Sequence, residues 1–271
     1  MNSNKKIYKF LVLTDLKRSL STMLKGTVGM AKMINGEIEV FHVKKPSEIV
    51  ASENQLSAMR TINSKHKTVD KKIQNLITPI EKDSGMKIPY SFVFGNVKNE
   101  ISAYIKKRRP DIIVLGKRKS KPFKLIGDSI TEFVLNIHDG VVLITTDNDM
   151  LLPNEEISLG MLNNSKPFLN FAFAEDLTKH IQKPVKSFKI IKNSTSVKEV
   201  SKAIDDDTIE YVFEQNDGTI RNLSNYLSKN NISLLSIDRG QKDSDNAKKL
   251  IPLDITSAIS KLNVPLLITA K

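Results

Sequence analysis

Cysteine is absent from the 271 residues, and so is tryptophan. Without a thiol the chain has no disulfide, no cysteine nucleophile and no thiolate metal site. Aromatic residues make up only 6% of the chain, which leaves few platforms on which nucleic-acid bases can stack. No apolar run approaches the roughly 18–20 residues needed to cross a bilayer, so no membrane partner is expected. The opening MNSNKKIYKF runs from polar residues straight into a strand pattern. No signal peptide is apparent there, and the cytoplasm is the expected compartment. His42, His66, His138 and His180 lie far apart and make no HExxH or similar ligand spacing, so no metal site is expected. There is no GxSxG elbow and no Walker loop. No serine has a base partner visible in the sequence, and a binding role is expected rather than turnover.

Acidic residues are also few. The net charge is +12, and it is unevenly spread: residues 1–150 hold 26 Lys and Arg against 15 Asp and Glu, whereas residues 151–271 hold 16 against 15. Either the first half meets an anion or the excess is a solvated lysine-rich surface. The basic residues do not form one patch. Lys106-Lys107-Arg108-Arg109 ends a helical pattern, where cations are stabilised by the helix dipole. The second cluster, within Lys117–Lys124, follows a strand and belongs at the opposite edge of the sheet. This division, with the shortage of aromatics, argues against nucleic acid as a partner.

What is present is a repeat. Glu100–Gly116 (EISAYIKKRRPDIIVLG) lines up without a gap on Asn222–Asp238 (NLSNYLSKNNISLLSID). Ser102, Tyr104 and Lys107 meet Ser224, Tyr226 and Lys229, and the apolar positions match through a helix pattern and then a strand pattern. Both copies run on to a further helix and a closing strand, Val141–Thr145 and Pro265–Thr269. At the last aligned column Gly116 meets Asp238, so two domains of one fold with different chemistry are expected, at 1–148 and 149–271. The polar stretch Asp147–Asn154 is the expected joint.

In the first half, strands are predicted at Lys9–Asp15, Glu37–Val43, Ile88–Phe94, Asp111–Gly116 and Val141–Thr145. Helices are predicted over Ser19–Asn35, about Ser47–Asp83, Val97–Lys107 and Ser129–Ile137. The second half replays this order, with strands at Ile157–Leu162, Val185–Ile191, Ile209–Phe213, Ser233–Asp238 and Pro265–Thr269. Its helices are predicted near Pro167–Ile181, Val197–Ile204, Thr219–Lys229 and Leu253–Leu262. The stripes Phe168, Ala172, Phe173 and Leu177, and Phe133 with Ile137, read as core. Alternation of strands and helices implies an α/β fold with parallel sheets covered on both faces.

Ligands of open α/β sheets bind beyond the carboxyl ends of the strands. Asp15, Val43, Gly95 and Gly116 all fall at such ends. Asp15 either accepts hydrogen bonds from a base or ribose, or caps the first helix. Gly116 either lets a phosphate approach the backbone or simply turns the chain. Around Gly127-Asp128-Ser129 the next helix begins, where free N–H groups suit an anion and Ser129 equally suits an N-cap. His42, at a strand end, reads as a satisfied core histidine.

These residues resemble the universal stress protein family. Its first strand ends in an acid, as in Leu11-Val-Leu-Thr-Asp15; its second often ends in His-Val, as in His42-Val43; its third is followed by a glycine, as at Gly95. The resemblance implies two tandem doubly wound, Rossmann-like (adenine nucleotide alpha-hydrolase-like) five-stranded parallel-sheet domains. It also implies a stress-response binding protein whose first domain takes ATP, ADP or AMP. Asp15 and Val43 would contact the adenine end, and Gly116 and Ser129 the phosphates, with Gly127 standing in for the last signature glycine by a shift in register. Family dimers pair through their fifth strands, which here implies pairing within the chain or in a homodimer. The phosphate signature is altered: Lys119 replaces its second glycine, the loop is one residue short, and Asp128 stands where its last glycine belongs. Lys117, Arg118, Lys119, Lys121 and Lys124 surround the same loop and offer positive charge in exchange. In the second half Asn163 falls near the Asp15 position and Asp238 at the Gly116 position, so a structural or interaction copy is expected. The alternative for the whole chain is a nucleotide-free protein–protein interaction module.

Overall fold

The structure, a computed structural model, describes residues 6–16, 20–45, 55–117, 130–146, 151, 155–163, 171–191, 207–239 and 255–269. Five strands belong to the first half: β1 (Tyr8–Thr14), β2 (Gly36–Lys44), β3 (Tyr90–Phe94), β4 (Ile112–Gly116) and β5 (Val141–Thr145). Helices α1 (Leu20–Ile34), α2 (Gln55–Ser84), α3 (Val97–Arg108) and α4 (Ile130–Ile137) connect them. The second half supplies β6 (Leu159–Leu162), β7 (Val185–Ile191), β8 (Thr208–Glu214), β9 (Leu234–Ile237) and β10 (Leu266–Ile268). Its helices are α5 (Ala174–Thr178), α6 (Thr219–Lys229) and α7 (Ile255–Lys261). The helix expected near Val197–Ile204 lies outside the described residues, as does Phe168. Of the expected Pro167–Ile181, the described residues are helical over the five of α5.

All ten strands form one sheet in the order β3-β2-β1-β4-β5-β10-β9-β6-β7-β8. Each half is parallel throughout, and the halves meet where β5 runs antiparallel to β10, with Leu143 opposite Leu267. Side chains alternate between the faces, as the pleat requires. Phe10, Val12, Ile112, Val114, Leu143 and Leu267 join one buried cluster with α1 and α2. Leu11, Leu13, Ile113, Leu115, Ile144 and Ile268 join another with α3, α4, α6 and α7. Both clusters cross from one half into the other, so the apolar layers are continuous through the seam. Tyr8 adds a cross-contact: its hydroxyl donates to Ala172 O at 2.7 Å, and its ring packs edge-on against Phe173. Leu151, in the stretch expected to be a polar joint, is buried in the first cluster.

The repeat holds at the level of register. β1 pairs β4 with Leu13 opposite Leu115, and β6 pairs β9 with Leu162 opposite Ile237. Carrying this across to β2 and β7 makes Phe188 the counterpart of Phe41. Tyr104 stacks on Phe41 at 3.8 Å between ring centroids, and its repeat partner Tyr226 meets Phe188 edge-on at 5.8 Å. An asparagine likewise closes the turn into the third-strand helix of each half. Asn96 Oδ1 accepts from Lys98 N and Asn99 N, and Asn216 Oδ1 accepts from Gly218 N. Ile137, read as core from its spacing, is instead exposed at the end of α4. That helix has only eight residues, and its buried positions are Val134 and Leu135.

Candidate functional site

Within the first domain the strand order reverses between β1 and β4, because the chain moves outward through β2 and β3 and then returns to β4. That crevice is where an open α/β sheet receives ligands. Asp15 follows β1 and Gly116 ends β4, so the two flank the crevice; Val43 lies one strand further out, next to last in β2. All three are half-buried, as is Thr14. The turn beneath Asp15 is fixed locally. Leu16 N donates to Thr14 Oγ1 at 3.0 Å, and Leu16 is buried with φ at +58°. His42 is 7% exposed and its Nδ1–H donates to Thr14 O at 2.8 Å, tying the ends of β1 and β2 together. It is a satisfied core histidine.

Gly95 belongs to the packing rather than to the crevice. Its N–H donates to Lys44 O at 3.0 Å, and a Cβ there would sit 2.7 Å from Glu100 Cγ, which folds over it from the first turn of α3. Gly127 and Ser129 lie outside the described residues, with Lys119, Asp128 and the rest of the basic loop from Arg118. Lys117 is described, and it does not face the crevice as a spare cation. Its ammonium donates to Leu262 O at 2.6 Å and to Asn263 Oδ1 at 3.1 Å, at the carboxyl end of α7 in the second domain. Burial lowers its pKa, and the partial negative charge of a helix carboxyl end favours the cation.

The second domain is built differently at the matching place. The register makes Asn163 the counterpart of Thr14, one position before Asp15. Asn163 is 1% exposed, with φ at +52°, a left-handed conformation that asparagine tolerates well. Its N–H donates to Phe188 O at 2.7 Å, and its Oδ1 accepts from Ile190 N at 2.8 Å. Ile190 is the counterpart of Val43, and it is buried where Val43 is half-buried. The side chain of Asn163 therefore engages the main chain at the position that Val43 holds in the first domain. Asp238, opposite Gly116 in the repeat, accepts from Thr269 Oγ1 at 3.3 Å.

Sequence reading missed Lys117 and Arg239 as a pair, although the signal lay one column past the compared segment: each is the cation that follows the Gly116/Asp238 position. It set Asn163 near the Asp15 position rather than at that of Thr14, because β6 is only four residues long and a one-residue error in its register goes unmarked. Among the described residues no group of three His, Asp or Glu side chains is placed to hold a metal. No helix among them is long and apolar enough to cross a membrane.

The model of the universal stress protein family matches residues 7–145. The crystal structure of a universal stress protein from Archaeoglobus fulgidus DSM 4304 is similar over 97% of this chain and 98% of its own, at 14% identity and a TM-score of 0.62. A functionally unknown protein from Pseudomonas aeruginosa PAO1 is similar over 98% of this chain and 93% of its own, at 10% identity and a TM-score of 0.56. At such identities the likeness shows the fold, here the tandem arrangement along nearly the whole chain. Among curated proteins none matches. With half of its length matched by the family model and the ten strands arranged as two copies of one five-stranded unit, the chain belongs to the universal stress protein family.

Proposed function

We propose that this stress-response protein binds an adenine nucleotide, ATP, ADP or AMP, in its first domain (residues 1–148), and that its second domain (149–271) is a non-binding partner. The observation that carries this reading is the contrast at the strand ends. Asp15 and Gly116 flank the switch point with Val43 one strand further out, all half-buried, whereas in the second domain Asn163 and Ile190 are buried and bonded to each other. Asp15 would accept hydrogen bonds from the base or ribose, Val43 would line the adenine end, and the backbone at Gly116 would approach phosphate without a Cβ in the way. Gly127 and Ser129 would complete the phosphate contacts. The role is one of binding and regulation in the cytoplasm, not turnover, with β5 and β10 supplying within one chain the pairing that a dimer would otherwise provide.

Denaturing the purified protein and analysing what is released tests this directly, followed by thermal melts with each nucleotide. A ligand at a hundred times its Kd adds about 2.7 kcal/mol. Asp15→Ala and Gly116→Asp are each expected to abolish the shift. Absence of both released nucleotide and any melting shift in the wild-type protein refutes the reading. A shift that survives both substitutions places the site elsewhere.

A further inference from the structure

The two domains hold each other through a reciprocal pair of cations. Lys117 follows β4 and donates to Leu262 O; Arg239 follows β9 and donates through Nη1 to His138 O at 3.0 Å. These contacts are copies of one another. Lys117 and Arg239 share a column of the repeat, and so do His138 and Leu262, each three residues before its fifth-strand segment. The arginine arm is the stronger. Arg239 also donates to Leu135 O at 3.0 Å, to Gly140 O, and through Nε to Thr269 O at 2.6 Å. It thus gathers the carboxyl end of α4, the entry to β5 and the exit of β10 around one guanidinium.

The arms differ also in the residue on which each closes. Where the lysine arm closes on Leu262, the arginine arm closes on a histidine. His138 is 6% exposed, and its Nε2 is buried without a hydrogen-bond partner. Among the described residues, the charged and main-chain groups that act on the ring come from four places. Arg239 reaches it from the second domain, and Asp139 is next in the chain. The main chain of Asp111 comes from the entry to β4 and that of Val141 from the start of β5. The Asp111 carboxylate is itself engaged by Lys9 N at 2.9 Å and by the Lys6 ammonium at 3.4 Å.

We propose that the seam between the domains is a proton-gated latch: Arg239 closes it, and His138 loosens it on taking up a proton. A second cation beside the guanidinium, on a ring buried from water, repels the half-buried side chain that holds α4, β5 and β10 together. Burial first, and then Arg239, hold the imidazole below its ordinary value, while the Asp111 and Val141 main chain and Asp139 pull weakly the other way. The unfolded or loosened chain takes up the proton more readily than the closed one. The contribution to closure is therefore complete above the ordinary histidine value and is lost as pH falls below it. The lysine arm, closing on Leu262, has no such gate.

Hydrogen exchange on the full chain at about pH 7.5 and about pH 5.5 tests the latch across the histidine range. Corrected for intrinsic rates, amides at 134–142 and 266–268 of the wild-type protein are expected to exchange roughly tenfold faster at the lower pH. His138→Leu, which copies the Leu262 arm, is expected to remove that acceleration. Arg239→Met is expected to show fast exchange at both pH values. A His138→Leu protein that loosens with acid as the wild type does overturns the proposal. If that variant does not fold, His138→Gln replaces it, and an NMR titration of the imidazole decides independently: a ring that titrates at or above the ordinary value of about 6.5 also overturns the proposal. None of these readings depends on whether nucleotide binds.

Discussion

At the scale of single residues, a position can carry more than the sequence shows. Gly36 reads as a helix stop after Asn35, and Asn35 is indeed left-handed at φ +59°. The fold adds a second demand, because a Cβ on Gly36 would run into the ring of Phe10, which is 1% exposed and cannot move aside. Gly36→Ala is therefore expected to destabilise the protein by about 1–3 kcal/mol, as overpacking does, measurable as a lowered urea midpoint. The loss should be absent at Gly85, whose Cβ site is open, apart from the backbone strain of its φ of +70°. Asn163 shows the opposite limit of legibility. Its residue type marks it as a turn former, but only the β6–β7 pairing reveals that its side chain seals a strand end from within.

At the scale of elements, the parallel strands were legible because each is a short apolar run bounded by polar residues, and their buried alternation follows. The ends were less so: β1 stops at Thr14, leaving Asp15 one residue beyond it, and β3 begins at Tyr90 rather than Ile88. The outer edges of the sheet are protected by different means. Along β3, α2 lies alongside, with the Tyr90 hydroxyl donating to Asp70 at 2.7 Å and His66 against Phe92. On β8, Glu210 pairs with Lys189 at 2.6 Å, an inward charge of the sort that discourages edge-to-edge association. At the central seam, Leu143 and Leu267 face each other fully buried. Leu143→Ala and Leu267→Ala are each expected to cost about 2–5 kcal/mol. The double variant should cost less than their sum, with a coupling of about 0.5–3 kcal/mol in a double-mutant cycle. Simple additivity would show that the two halves do not share a core.

At the scale of the whole molecule, the repeat found in the sequence is the plan of the sheet. The match of Glu100–Gly116 on Asn222–Asp238 reappears as matching strand registers, paired Phe–Tyr contacts and reciprocal cations. The Gly116/Asp238 difference was legible because it falls in an aligned column, whereas the contacts of Lys117 and Arg239 across the seam were not, since a repeat pattern reports nothing of how the copies meet. The proposed division of labour predicts a stoichiometry: calorimetric titration with an adenine nucleotide should give about one site per chain, not two, and salt should weaken association as it screens the basic first domain. Two equivalent sites would show that Asn163 and Asp238 do not close the second domain.

The antiparallel pairing of β5 with β10 has a consequence for how such a protein can change. In a homodimer every substitution is made twice, so a residue that spoils one site spoils both. Here the two halves of the pair are one molecule, and the glycine at 116 can stay while its counterpart becomes Asp238. Covalent linkage thus lets the two copies diverge column by column, and here the second copy carries Arg239, which reaches back to fasten the first.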